Sequence, residues 1–196
     1  MWGNMFLKND NFVFFFLGFF VYVVFHLFPV NGLSDDNLAE TKLYEDVCSE
    51  CRFQNGQGFL TFFGLKLYKA TLVSETDYGD IFDSKFALQI QYLRKFKGED
   101  IAKRSVKEMA KLGLVPEDVK LVWYDWMYEN IPDVKKNDIL TGVYIPKQGI
   151  ELYFNGVQIA SNKNTSLAES FFLIWLHNRT SEPKLKSKLL QHRKNG

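Results

Sequence analysis

Apolar and polar positions change rhythm several times along this chain. From Asn11 to Ser34 there is no Asp, Glu, Lys or Arg, and residues 12–28 form one apolar run behind a short polar start with Lys8 and Asp10. Past residue 33 the pattern is mixed and polar, with a short helix expected over 37–47. Gly56-Gln57-Gly58 reads as a turn, and 59–63 as the edge of a strand. Residues 64–74 alternate: Leu65, Leu67, Lys69 and Thr71 fall on one face, Lys66, Tyr68, Ala70 and Leu72 on the other. Residues 86–93 repeat the alternation, with Phe86, Leu88, Ile90 and Tyr92 in register. A period of two marks a half-buried strand.

The period then lengthens. Over 98–112, Ile101, Val106, Met109 and Ala110 form an apolar stripe opposite Lys103, Lys107 and Lys111, which predicts an amphipathic helix. Glu99 and Asp100 suit its first turn, and Gly113 its end. Pro116 suits the start of a second helix, in which Val119, Val122, Trp123, Trp126 and Met127 are expected to face the core. Strands return at 138–145 and 150–154. Asn155-Gly156 is a strong hairpin signal leading into a strand at 157–160. Helices are expected at 165–178 and 183–191. Sequential antiparallel strands with helices grouped apart predict an α+β domain.

Composition divides the chain in two. Nine of the 19 phenylalanines fall within the first 28 residues, so leader and domain are different objects. The leader has the order of a secretory signal peptide, with Gly32 a plausible cleavage point. Its 17-residue apolar run would also span roughly 26 Å as a helix, near the thickness of a hydrocarbon core, so an uncleaved anchor is the alternative. Either way the domain is expected to be exported, to the periplasm or beyond the cell. With 24 basic and 23 acidic residues there is no basic excess to hold nucleic acid. Membrane contact is expected only through the N-terminal segment.

Catalytic motifs are scarce. There is no phosphate loop, no HExxH and no nucleophile elbow. His26, His177 and His192 are too scattered to converge. Cys48 and Cys51 form a CxxC without a second pair for zinc; a small disulfide is the expectation, and a redox motif the alternative. Asn164-Thr165-Ser166 and Asn178-Arg179-Thr180 are glycosylation sequons. The basic tail with Lys184, Lys186, Lys188, Arg193 and Lys194 reads as a solvated face. Residues 192–196 are expected to lie outside the domain.

Several pieces in order form a more specific pattern. They are Gly56-x-Gly58, Phe63-x-x-Lys66-x-Tyr68-x-Ala70-x-Leu72, FALQIQYLRKFKGEDIAKR from Phe86, DVKKND from Asp133, Phe154-Asn155-Gly156, Ile174-Trp175-Leu176 and Leu185-Lys186-x-x-Leu189-Leu190. Over roughly 50–191 this resembles the bacterial chalcone isomerase-like family. The resemblance implies an open-faced antiparallel β-sheet covered on one face by a layer of helices, with an apolar cleft between and the domain over 56–191. In plant chalcone isomerases an arginine steadies the attacking phenolate. In related fatty-acid-binding proteins it holds a carboxylate with a nearby tyrosine. Here the arginine position is Leu60, which can do neither. The tyrosine positions match Tyr68 and Tyr92, and the polar position of the late helix falls at Ala168–Glu169. Lys66 is a candidate replacement charge. The resulting expectation is a binder of an apolar small molecule such as a fatty acid, through Leu60, Lys66, Tyr68 and Tyr92, without catalytic residue, metal or cofactor. An isomerase of the intramolecular lyase type and a non-enzymatic envelope interaction protein are the alternatives.

Overall fold

The computed structural model describes residues 47–193; the leader, the polar stretch 33–46 with most of the helix expected over 37–47, and the last three residues lie outside them. Among the described residues no helix is long and apolar enough to cross a membrane.

Six strands, β1 (Phe53–Phe62), β2 (Leu65–Ser74), β3 (Phe86–Tyr92), β4 (Ile139–Ile145), β5 (Gly149–Phe154) and β6 (Val157–Asn162), form one sheet in chain order. Every neighbouring pair is antiparallel. Among the described residues, four α-helices, α1 (Gly98–Lys111), α2 (Lys120–Asn130), α3 (Thr165–Leu176) and α4 (Pro183–Leu189), accompany the sheet. The apolar side chains of α1, α2, α3 and α4 share one core with Ala70, Leu72, Phe86, Leu88, Leu140 and Leu152 of the sheet. The expected α+β architecture, an open antiparallel sheet with a helical layer, is the one observed.

Gly56-Gln57-Gly58 is not a turn but the middle of β1. Glycine is required there because α4 lies directly on the strand: a Cβ on Gly56 would stand 2.0 Å from the Lys188 carbonyl oxygen, and one on Gly58 2.8 Å from Leu185 Cδ1. The β1–β2 turn is Phe63-Gly64, with φ of 46° and 78°, the left-handed pair that a two-residue hairpin demands. In α2, Trp123 and Met127 are buried and Val119 and Trp126 pack beside them. Val122, expected inside, is 63% exposed, because the buried stripe turns toward Tyr124 instead.

The motif DVKKND proves to be a joint. Asp133 accepts from the Gly98 backbone N–H (2.9 Å) at the head of α1 and pairs with Lys97 (2.6 Å). Asp138 accepts from Lys135 N–H (2.9 Å) and from Asn155 Nδ2 (3.2 Å), while Asn155 Oδ1 accepts from Ile139 N–H (2.8 Å). These bonds tie the α1 start and two hairpin ends together.

On the other face of the sheet, Val47, Cys48 and Cys51 pack on Val73, Ala87 and Val143. Cys48 and Cys51 are joined as a disulfide. His192 and Arg193, expected outside the domain, are bonded to it. His192 N–H donates to the Asn55 carbonyl (2.8 Å). The Arg193 guanidinium donates to the carbonyls of Thr76 (2.8 Å), Tyr78 (2.6 Å) and Gly79 (2.9 Å), locking the loop after β2. Burial lowers the Arg193 pKa from its ordinary value.

Candidate functional site

A cavity of about 390 Å³ opens between the sheet and the helices α1 and α3. Its sheet wall is Leu60 and Phe62 of β1, Leu67 and Tyr68 of β2, and Ile90 and Tyr92 of β3. Ile101 of α1 and Phe171, Ile174 and Trp175 of α3 close the other side. The walls are apolar, and polar groups gather at one border: Asp100, Arg104, Ser105 and Glu108 of α1, with Ser181 and Glu182 from the loop before α4.

Strand pairing places the two tyrosines. Tyr68 is opposite Leu60 on one side and opposite Tyr92 on the other, so all three project to the helical face, and the rings meet edge-on at 6.1 Å. Trp175 Nε1 donates to Tyr68 Oη at 2.8 Å. That bond occupies an acceptor position and leaves the Tyr68 O–H free to donate into the cavity. Tyr92 is 5% exposed, and its hydroxyl has no hydrogen-bond partner among the described residues. Burial pushes both phenols well above the ordinary tyrosine pKa; the Trp175 bond partly offsets this for Tyr68, and Tyr68 itself adds to it for Tyr92. Both therefore stay protonated and act as donors through the physiological range.

Lys66 is not part of this wall. Its Nζ sits 4.0 Å from the centre of the Phe59 ring, and Phe59 points away from the face used by its neighbour Leu60. A register shift between Leu60 and Thr61 pairs Lys66 with Thr61 and Tyr68 with Leu60, so strict alternation fails between Lys66 and Tyr68. The late-helix position is also displaced: Ala168 is core, and Glu169 accepts from Tyr144 Oη at 3.3 Å, away from the cavity.

The positive group that does border the cavity is Arg104, and it is already engaged. Its Nη2 lies 2.9 Å from Glu108 Oε1. Ser181 Oγ donates to the other Glu108 oxygen and accepts from Lys111 Nζ at 2.8 Å. Burial raises the Glu182 pKa, Arg104 opposes this and Glu108 reinforces it. The polar border thus carries three carboxylates against one arginine. Ile101, Arg104, Ser105 and Glu108 lie at i, i+3, i+4 and i+7 of α1. Polar residues repeating at the helical period, in step with Ile101, were the signal available in the sequence; the evenly spaced lysines of the opposite face obscured it.

Residues 54–191 match the family model described as chalcone isomerase-like, and the chain belongs to that family. Among solved structures it is similar to AtFAP1, a fatty-acid binding protein of Arabidopsis thaliana. The two share 13% identity over 71% of this chain and 87% of the other, with a TM-score of 0.57. No curated protein matches the chain.

Proposed function

We propose that this protein binds an apolar small molecule in the cavity, as a non-catalytic member of its family. The observation that carries the reading is the wall itself: apolar side chains, two neutral phenol donors, and Leu60 where the resemblance places an arginine. Apolar walls with a few convergent donors are what small-molecule sites look like. The fold shared with a fatty-acid binding protein supports the same reading. Leu60, Tyr68 and Tyr92 contact the ligand; Lys66 does not. On this proposal the domain is exported, as the apolar leader of the sequence suggests.

The test is native mass spectrometry with organic extraction of the protein taken from its export compartment. A co-purifying apolar molecule that Ile90→Trp displaces is the expected result, since Ile90 lines the cavity and the larger ring takes up its volume. Turnover of a chalcone above its spontaneous rate, dependent on Tyr68, would instead make the protein an isomerase.

A further inference from the structure

The β1–β2 hairpin ends in an apolar tip that nothing in the described domain covers. Phe62 is 61% exposed, Phe63 89% and Leu65 50%. Exposed apolar residues are ordinary when scattered, but these three cluster on a single turn. Phe63 is the more telling because its backbone stands at φ 46°. The left-handed region suits Gly or Asn and disfavours a bulky L-residue. Among the described residues its one aromatic ring contact is with its neighbour Phe62, at 4.5 Å between centres. An aromatic side chain is thus held in a strained turn position where it contributes little to the fold.

The surroundings of the tip are basic. Lys66 follows it directly on β2. Leu93 N–H donates to the Leu67 carbonyl at 2.9 Å, extending the β2–β3 ladder past Tyr92. Arg94 and Lys95 therefore emerge at the same end of the sheet, and both are exposed. None of these three cations forms an ion pair among the described residues. The carboxylates of the cavity, Asp100, Glu108 and Glu182, sit on the helical wall and not on the hairpin. Thr61 and Phe62 belong both to the hairpin and to the cavity lining, so the tip and the cavity entrance are continuous.

We propose that this hairpin is a membrane-docking element that seats Phe62, Phe63 and Leu65 in the interface of an anionic bilayer, with Lys66, Arg94 and Lys95 against its headgroups. Aromatic and aliphatic side chains at the headgroup level, backed by basic residues, match the chemistry of such a surface. The docking stands apart from the identity of any cavity ligand. It presents the cavity entrance to the lipid phase, where apolar molecules reside.

The experiment uses the full chain with vesicles of equal parts phosphatidylcholine and phosphatidylglycerol. An environment-sensitive fluorophore is attached through Phe63→Cys in one sample. In another it is attached through Tyr78→Cys, at the opposite end of β2. Lipid-borne nitroxide should quench the label at 63 and leave the label at 78 in water, whether or not the leader also holds the chain on the vesicle. Reversing Lys66, Arg94 and Lys95 to glutamate should lower the contact by roughly fivefold for each cation removed. Phe63→Asn is the variant that separates docking from folding. It should keep or raise Tm, because Asn tolerates the left-handed turn, while vesicle contact of a label at Phe62→Cys falls. Equal water exposure of the labels at 63 and 78 on vesicles would overturn the docking. So would vesicle contact indifferent to both Phe63→Asn and the charge reversals, or a tip buried by self-association in the absence of lipid.

Discussion

Strand β3 passes through two kinds of interior. At its Phe86 end the space between sheet and helices is filled. Phe86 stacks on Tyr144 with centres 5.0 Å apart, and Phe172 meets both edge-on at 4.8 Å and 5.8 Å. Tyr144 finds Glu169, and its phenol is pushed up to about 12, by burial first and by Glu169 next. At the Tyr92 end the same two layers leave a cavity of about 390 Å³, and the Tyr92 hydroxyl has no partner among the described residues. Interiors are close-packed by default. An end that stays open beside one that closes completely, on a single strand, marks the opening as a property of the chosen side chains and not of the fold.

The sharpest break of the comparison is Phe172→Ala. It should cost about 3–5 kcal/mol, the usual penalty for emptying a packed aromatic position, read from urea or thermal unfolding. Binding in folded protein at the far end should persist. Leu60→Arg acts at the open end in the opposite sense. A forked cation beside two phenol donors should raise affinity for a fatty-acid carboxylate by about tenfold or more relative to its methyl ester. In the natural chain the ester should bind better than the carboxylate anion, since Arg104 is committed to Glu108. Titration calorimetry with both ligands checks each half, and a carboxylate preference in the natural chain would contradict this account of the border.

Tyr92→Phe should leave stability unchanged or slightly higher, because it removes a hydroxyl that lines the cavity and has no partner among the described residues. Tyr68→Phe should lower it, by about 1 kcal/mol, through the lost Trp175 bond. Thermal melts of the two variants side by side decide this. The smallest effect concerns Glu182. Its raised pKa means that folding takes up a proton, so stability falls as pH climbs from roughly 4.5 through the raised value. Glu182→Gln removes this dependence and should gain stability relative to the natural chain above that window and none below it.

The strands, helices and layers follow from periodicity, and the tyrosine pair was legible because Tyr68 and Tyr92 continue the inward alternation of Leu72 and Leu88. Lys66 was not, because the register slips at Leu67, the extra residue of a bulge within β2, and nothing in that alternating run marks the place. Gly56 and Gly58 read as a turn because glycine in sequence does not say whether it frees the backbone or admits a neighbour; the neighbour, α4, lies over 120 residues further on. The Phe63-Gly64 turn was hidden for a related reason, since phenylalanine is the wrong residue for it by local preference. Arg193 looked solvated because its closest acceptors are backbone carbonyls, which carry no side-chain signature.

The closure of α4 over those two glycines bears on how the chain is made. Each strand pairs with the one before it, so the sheet can grow hairpin by hairpin as the chain emerges from the N-terminus onward. The groove on β1 cannot be filled until Leu185 and Leu189 have been synthesised, nor the loop after β2 fixed until Arg193 has. The first strand to form is the last to be covered, and a chain that stops a dozen residues short presents a finished sheet with a bare opening face.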